Sequence, residues 1–192
     1  MPLQAIKHTI ILGSKSPRRQ QLLKEMGIEF EARSKEVDES IPKGLKKEHA
    51  AIYLSKKKAA AFVSELSENE LLITSDTIVC KGSEILSKPS DKEEAEQMLR
   101  LLSNSCHEVI TAVSLTSSQK QVSFHSNTKV FFKALSKEEI EHYITKYQPF
   151  DKAGAYGIQE WIGMIGINKI EGSFYNVMGL PVDQLYAHLI DF

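Results

Sequence analysis

An apolar run, Thr9 to Leu12, leads directly into the predicted start of a helix. Ser16 is a favourable N-cap, and Pro17 suits the first helical position, where its missing N–H costs nothing. An anion at this helix start would meet unpaired backbone N–H groups and nearby hydroxyl and guanidinium groups, those of Ser14, Ser16, Arg18 and Arg19. The junction therefore suits phosphate binding, although a capped surface helix with two solvated arginines has the same pattern.

Asp76 is a carboxylate inside the predicted strand Leu71 to Val79, among apolar and small residues. Removing a carboxylate from water is costly unless it is paired or bound to a cation. A hydrogen-bonded strand end or a buried lysine partner would satisfy it structurally. A role as metal ligand or general base would satisfy it chemically, and the sequence leaves these interpretations open.

An acidic loop contains Glu36, Asp38 and Glu39. Such a run is most often a solvated loop. The alternative is a metal site shared with Asp76, because Mg²⁺ and Mn²⁺ favour one or two carboxylates together with substrate phosphates.

Lys58 lies on the apolar stripe of a helix predicted from about Glu48 to Val63. A lysine on such a stripe either extends to the helix edge with its ammonium group in water or faces a site that contains phosphate. Lys88, in the loop Ser87 to Pro89, is a weaker candidate by itself.

The composition predicts one compact domain, since 192 residues with 42% hydrophobic residues are enough for a sizeable core. The formal net charge of −1 provides no general attraction for nucleic acid or an acidic membrane. No apolar run approaches the roughly 20 residues that cross a bilayer. Because Cys80 and Cys106 lack a C-x-x-C spacing and Lys7 and His8 interrupt the first apolar run, we expect a cytoplasmic protein.

Helical and strand patterns alternate along the chain, which is typical of an α/β fold. Two strand candidates, His107 to Leu115 and Gln121 to Phe132, flank a turn and predict a hairpin. A hairpin favours a mixed sheet over a plain doubly wound parallel sheet. The region Ala153 to Gly179 predicts loops and short strands, and a last helix is expected from Pro181.

Helix boundaries are predicted from capping residues. Gly27 should end the first helix, and two capping-box pairs predict later helix starts, Asp91 with Glu94 and Ser136 with Glu139.

These segments together resemble the Maf family of nucleoside triphosphate pyrophosphatases, and the resemblance covers nearly the whole chain. Each motif is modest evidence alone, whereas their ordered combination is specific. The motifs are Ser14–Arg19, Val37–Glu39, Lys56–Ala59, Ser75–Val79, Ser87–Pro89, Thr111–Val113 and Asp151–Gln159.

The resemblance implies a single Maf-type domain over residues 1–192, with a mixed, strongly twisted sheet, flanking helices and a cleft between two lobes. This α/β fold is similar to that of the inosine triphosphate pyrophosphatases. The implied reaction is hydrolysis of a nucleoside triphosphate to the monophosphate and pyrophosphate with a divalent cation, Mg²⁺ or Mn²⁺. The resemblance also implies a homodimer.

Matching positions imply individual roles. Asp76 would accept the proton of the attacking water, with metal binding as an additional or competing role. Glu39 would help to place the metal or the water. The triphosphate would be held by Ser14, Arg19, Lys58 and Lys88.

One branch of the family, which acts on dTTP and UTP, resembles this chain in having Arg, Thr and Gln at the positions of Arg18, Thr77 and Gln159. A sister branch, which acts on 7-methylated GTP, has an aromatic residue, Gln and Glu there. A glutamine amide provides both the donor and the acceptor that a uracil or thymine edge needs.

Two features qualify this assignment. Thr77 follows Asp76 directly, so its side chain should point to the opposite face and act indirectly unless the strand ends there. Glu160 stands where many members have glycine, which leaves the shape of the base pocket open.

Two other classes fit part of the pattern. A nucleotide-binding regulator of septum formation without turnover would use the same phosphate-binding residues, but it gains little from a buried carboxylate beside a polyphosphate. A nucleic-acid-binding protein would use Arg18 and Arg19, but the near-neutral charge and the lack of a long basic stripe oppose it.

Overall fold

The computed structural model describes residues 6–192, and within them seven strands form one mixed sheet. The strands are β1 (Thr9–Gly13), β2 (Phe30–Arg33), β3 (Glu70–Lys81), β4 (Glu84–Leu86), β5 (Cys106–Thr116), β6 (Gln121–Phe132) and β7 (Ile167–Glu171). Their order is β2-β1-β3-β5-β6-β7, and β4 pairs with β3. The helices are α1 (Pro17–Glu25), α2 (Lys47–Ala60), α3 (Lys92–Leu102), α4 (Lys137–Tyr147), α5 (Trp161–Gly166), α6 (Phe174–Met178) and α7 (Val182–Ile190).

The sheet combines parallel and antiparallel pairs. β1 runs parallel to both β2 and β3, with Ile10 opposite Phe30 on one side and Leu71 on the other. β4 pairs antiparallel with β3, and β7 with β6. Parallel strands are usually covered on both faces, and Ile10, Ile11 and Leu12 of β1 are all buried. The predicted mixed α/β sheet is confirmed.

The chain folds as two compact units. The first comprises residues 6–76, 111–126 and 179–192, and its core includes Ile11, Ala59, Phe62 and Leu72. The second comprises residues 77–110 and 127–178, and it contains an aromatic group of His107, Phe132 and Tyr156. A single functional domain over residues 1–192 stays a prediction.

The start of α1 agrees with the sequence except for its capping bond. Pro17 occupies the predicted position, and Gly27 follows the helix end with a φ of +76°. Ser16 makes no side-chain cap bond; instead its own N–H donates to Ser14 Oγ at 3.2 Å. Ser16 is therefore the N-cap residue, as predicted, although its hydroxyl makes no capping bond.

The two predicted capping boxes differ. At α4 the box is complete, since Ser136 and Glu139 bond reciprocally through side chain and backbone. At α3 only half of it forms: Asp91 accepts from the Glu94 N–H at 2.8 Å, but the Glu94 carboxylate accepts from the Ser90 N–H at 2.7 Å.

The predicted hairpin is confirmed, with β5 beside β6 and the Ser117 N–H donating to the Lys120 carbonyl at 2.9 Å. Over Ala153 to Gly179 a predicted short strand is present as β7, but the prediction of no helix there is wrong, because α5 and α6 flank it. A Cβ on Gly163 would lie 1.8 Å from the Ile158 carbonyl oxygen, so this glycine allows α5 to lie against the segment that precedes it and does not mark a loop.

No helix among residues 6–192 is long and apolar enough to cross a membrane.

Candidate active site

Lys58 joins two carboxylates within the first unit. Its Nζ lies 2.5 Å from Asp76 Oδ1 and 2.8 Å from Glu39 Oε1. Lys58 is on α2, Asp76 is on β3, and Glu39 is in the loop after β2. The side chains of Lys58 and Asp76 are only 16% and 9% exposed. Lys58 therefore faces inward rather than extending to the helix edge, and Asp76 has the buried lysine partner that was one of its structural interpretations.

Arg19 is held by main-chain carbonyls. Its Nε donates to the Gly179 carbonyl and its Nη1 to the Ser75 carbonyl, both at 2.9 Å. Burial lowers the pKa of Arg19 from its ordinary value, and the negative charge of Asp76 acts in the opposite direction. An arginine stays charged in proteins, so a fixed cation lies near the Lys58 and Asp76 pair.

The last residue of β1, Gly13, lies closely against β3 just before the loop that leads to α1. A Cβ on Gly13 would lie 2.8 Å from Thr74 Cγ2, so this position requires glycine for close approach. The buried Ser14 hydroxyl accepts from the Ser16 N–H at 3.2 Å and from Arg19 Nη1 at 3.4 Å. Arg18, half-buried at the helix start, contributes positive charge that lowers the pKa of Arg19 further.

Asp38, in the same acidic loop as Glu39, is held by one residue of the loop and one of α2. Asp38 accepts from the Ser40 N–H and from Lys57 Nζ, both at 2.9 Å. Asp38 also accepts from the Ser40 hydroxyl, and this bond, followed by those from Lys57 and the Ser40 N–H, lowers the pKa of Asp38. Within this loop, Asp38 therefore shapes the backbone while Glu39 reaches Lys58.

Glu39 and Asp76 fit a divalent cation by their chemistry. No group of three or more His, Cys, Asp and Glu side chains among residues 6–192 is arranged as a complete metal site. The two carboxylates nevertheless converge on one ammonium group, so their oxygens already surround a single position of positive charge. Mg²⁺ commonly takes one or two carboxylates and fills its other positions with water and phosphate oxygens.

The second unit holds Thr77, Lys88 and Gln159. β3 continues without interruption through Thr77, so the strand does not end at Asp76 and alternation predicts an indirect role for Thr77. Lys88 is exposed in the loop after β4, and the neighbouring Ser87 carbonyl accepts from the Gly154 N–H at 3.1 Å. Gln159 Oε1 is buried and has no hydrogen-bond partner among residues 6–192.

Comparison with known proteins identifies the family. The family described as Maf-like protein matches residues 9–192. The chain belongs to the Maf family. A protein named dTTP/UTP pyrophosphatase from Cytophaga hutchinsonii is 52% identical over 180 residues, which are 94% of this chain and 82% of that protein. A protein of the same name from Flavobacterium johnsoniae is 50% identical over 95% of this chain and 94% of its own length.

The fold of this Maf-family chain has a structural counterpart. The solved structure of the Staphylococcus aureus Ham1 protein aligns with a TM-score of 0.51 at 16% identity, covering 94% of this chain and 97% of that one. The predicted family and fold class are therefore confirmed.

The structure places the predicted site residues of this Maf-family protein in two groups. The first unit brings together Ser14, Arg19, Glu39, Lys58 and Asp76, with Arg18 on the same helix start. The second unit contains Thr77, Lys88 and Gln159. The carbonyls of Ser75 and Gly179 that orient Arg19 leave no signal in the sequence, because main-chain groups are the same in every residue.

Proposed function

We propose that this Maf-family protein hydrolyses dTTP and UTP to the nucleoside monophosphate and pyrophosphate. The observation that carries the proposal is the placement of Lys58 between Asp76 and Glu39, close to the fixed guanidinium group of Arg19. Two cations and two carboxylates in one place suit a reaction that needs a bound polyphosphate and a proton acceptor. The name that relatives about half identical to this chain carry supports the same substrates.

The triphosphate binds to hydroxyl, guanidinium and ammonium groups, those of Ser14, Arg19, Lys58 and Lys88. In the free protein Lys58 is neutralised by carboxylates, so phosphate oxygens compete with them for its ammonium group. The base is read by Arg18 and Gln159, with Thr77 acting indirectly. The whole chain serves as one functional domain.

The chemical step is attack of a water oxygen on the α-phosphorus. Asp76 accepts a proton from that water, a new phosphorus–oxygen bond forms, and the bond from the α-phosphorus to the bridging oxygen breaks to release pyrophosphate. Arg19 and Lys58 offset the negative charge on the phosphoryl oxygens. Glu39 orients the water or shares the cation.

Glu39 and Asp76 are the residues that would hold Mg²⁺ or Mn²⁺. When bound, the cation supplies further charge neutralisation on the phosphates and polarises water.

Pyrophosphate release tests the proposal. UTP and dTTP should be hydrolysed in the presence of Mg²⁺ or Mn²⁺ and clearly preferred over GTP and 7-methyl-GTP. Equal or faster hydrolysis of 7-methyl-GTP would contradict the substrate assignment while preserving the reaction class. Tight UTP binding without pyrophosphate release would favour a nucleotide-binding regulator instead.

A further inference from the structure

Both oxygens of the Glu160 carboxylate have partners within the second unit. Oε2 accepts a hydrogen bond from the Tyr143 hydroxyl, and Oε1 lies 3.2 Å from Lys152 Nζ. Tyr143 is fully buried, and Lys152 is 8% exposed. Burial, followed by the Glu160 carboxylate, raises the pKa of Tyr143, so its hydroxyl remains a donor. Both carboxylate oxygens of Glu160 are thus held by buried side chains.

The same contacts hold the turn that carries Gln159. The Tyr143 hydroxyl accepts from the Gly157 N–H at 3.0 Å, and the Glu160 N–H donates to the Gly157 carbonyl at 3.0 Å. A Cβ on Gly157 would lie 2.8 Å from Glu160 Cδ, so the carboxylate lies directly against the turn backbone. Both ends of the segment from Gly157 to Glu160 are therefore fixed to Tyr143.

Gln159, inside this fixed turn, has a side-chain acceptor without a hydrogen bond. Its Oε1 is buried and lacks a hydrogen-bond partner among residues 6–192. A buried acceptor without a partner is destabilising and calls for an explanation. A donor on a ligand would satisfy it, and the N3–H of a uracil or thymine ring is such a donor. The fixed turn would hold the acceptor in place before the ligand arrives.

We propose that Glu160, through Tyr143 and Lys152, is a positioning residue that holds Gln159 for recognition of the pyrimidine base. This inference rests on the proposed function for the identity of the ligand. It assigns Glu160 no contact with substrate. If Glu160 were purely structural, its substitution would lower stability and the affinities for all ligands alike. If Glu160 is a positioning residue, its substitution changes the ratio of affinities for the two bases.

Equilibrium binding separates base recognition from turnover. The probes are non-hydrolysable α,β-methylene analogues of UTP and GTP, together with inorganic triphosphate, which has no base. Glu160→Ala should lower the ratio of uridine to guanosine affinities by about tenfold, because a displaced polar group loses its partner on the base. Its affinity for inorganic triphosphate should stay within about twofold of wild type.

Three further variants are compared with Glu160→Ala. Glu160→Gln keeps an acceptor for Tyr143 and should retain most of the wild-type ratio. Tyr143→Phe removes the bonds to both Glu160 and Gly157 and should lower the ratio like Glu160→Ala. The control is Glu141→Ala, which removes an exposed carboxylate 3.6 Å from Lys137 on the same α4 helix. Thermal melting identifies any variant that does not fold.

A double-mutant cycle provides the decisive comparison. In a Gln159→Ala background, adding Glu160→Ala should not change the affinity ratio further, because the residue being positioned is already gone. If Glu160→Ala does not fold, Tyr143→Phe takes its place in the double-mutant cycle with Gln159→Ala.

The outcomes distinguish this inference from the proposed function. An unchanged ratio in the folded Glu160→Ala or Tyr143→Phe variant, or an equal loss for inorganic triphosphate, would overturn the positioning role. A wild-type protein with no base preference would overturn it as well. Selective binding of the uridine analogue without UTP hydrolysis would contradict only the proposed function.

Discussion

At the scale of single residues, Asp76 combines burial with a charged partner. Its carboxylate lies 2.5 Å from Lys58 Nζ in the first unit, so the cost of burying the charge is offset by the ion pair. The second contact of that lysine, to Glu39, joins the acidic loop to β3. The chemical role of Asp76 is a prediction that mutation can test.

Asp76→Asn should keep the fold and reduce hydrolysis of UTP by about two orders of magnitude or more, because an amide cannot accept a proton from water. Pyrophosphate release and thermal melting are the measurements. Asp183→Asn, at an exposed carboxylate on α7, is the matched control. Turnover comparable to wild type in Asp76→Asn would contradict the assignment.

Lys58→Ala should raise the KM for UTP by about tenfold or more, because a charge-assisted contact to phosphate is lost. We also expect the free energy of unfolding to fall, because buried Asp76 loses the ammonium group that offsets its charge, although alanine itself suits the apolar stripe of α2. Steady-state kinetics and melting curves measure the two effects. Unchanged kinetics with lower stability would instead show that this lysine is structural.

At the scale of elements, the start of β5 carries a buried histidine in the second unit. His107 Nε2 lies 2.7 Å from the Tyr156 hydroxyl, and its ring stacks on Phe132 with 5.6 Å between ring centroids. Burial, followed by the charge of Lys81, lowers the pKa of His107 to about 3. The native state therefore keeps this imidazole neutral.

Stability should fall as the pH decreases from about 6.5 toward 3. Over this range the unfolded chain binds a proton at His107 that the native state excludes. The free energy of unfolding therefore falls by at most about 1.4 kcal/mol per pH unit. Urea unfolding between about pH 5 and 6.5, above the titration range of ordinary carboxylates, measures the slope. His107→Phe should reduce that slope, and an unchanged slope would contradict the role of His107.

At the scale of the whole molecule, the chain passes repeatedly between the two compact units, and both depend on segments distant in sequence. The first unit is completed by residues 179–192, which supply the Gly179 carbonyl to Arg19. Truncation at either end of the described chain would therefore remove parts of one unit.

The Maf family resemblance predicts a homodimer in solution. Light scattering over a range of protein concentrations should give about twice the 21.6 kDa mass of the chain. A species of 21.6 kDa alone at all concentrations would contradict this prediction.

Much of the fold and part of the site followed from local patterns. The strand β6 has its predicted bounds, and α1 starts at Pro17. The apolar stripe of α2 left two positions open for Lys58, at the helix edge or facing inward, and the structure shows the inward one. Strand bounds and helix starts depend on neighbours within a few residues, so the sequence predicts them. The helix α5 was missed because its glycines serve contacts with Ile158 and other segments.

The sequence by itself determined the family, the mixed sheet, the helix start at Pro17 and the acidic and basic residues available for chemistry. Only the tertiary structure decided which of these residues meet: Lys58 with Glu39 and Asp76, and Glu160 with Tyr143 and Lys152. It also assigned to Arg19 the carbonyls of Ser75 and Gly179, which lie 56 and 160 residues away. These contacts join distant segments or use main-chain atoms common to every residue, so no local pattern specifies them.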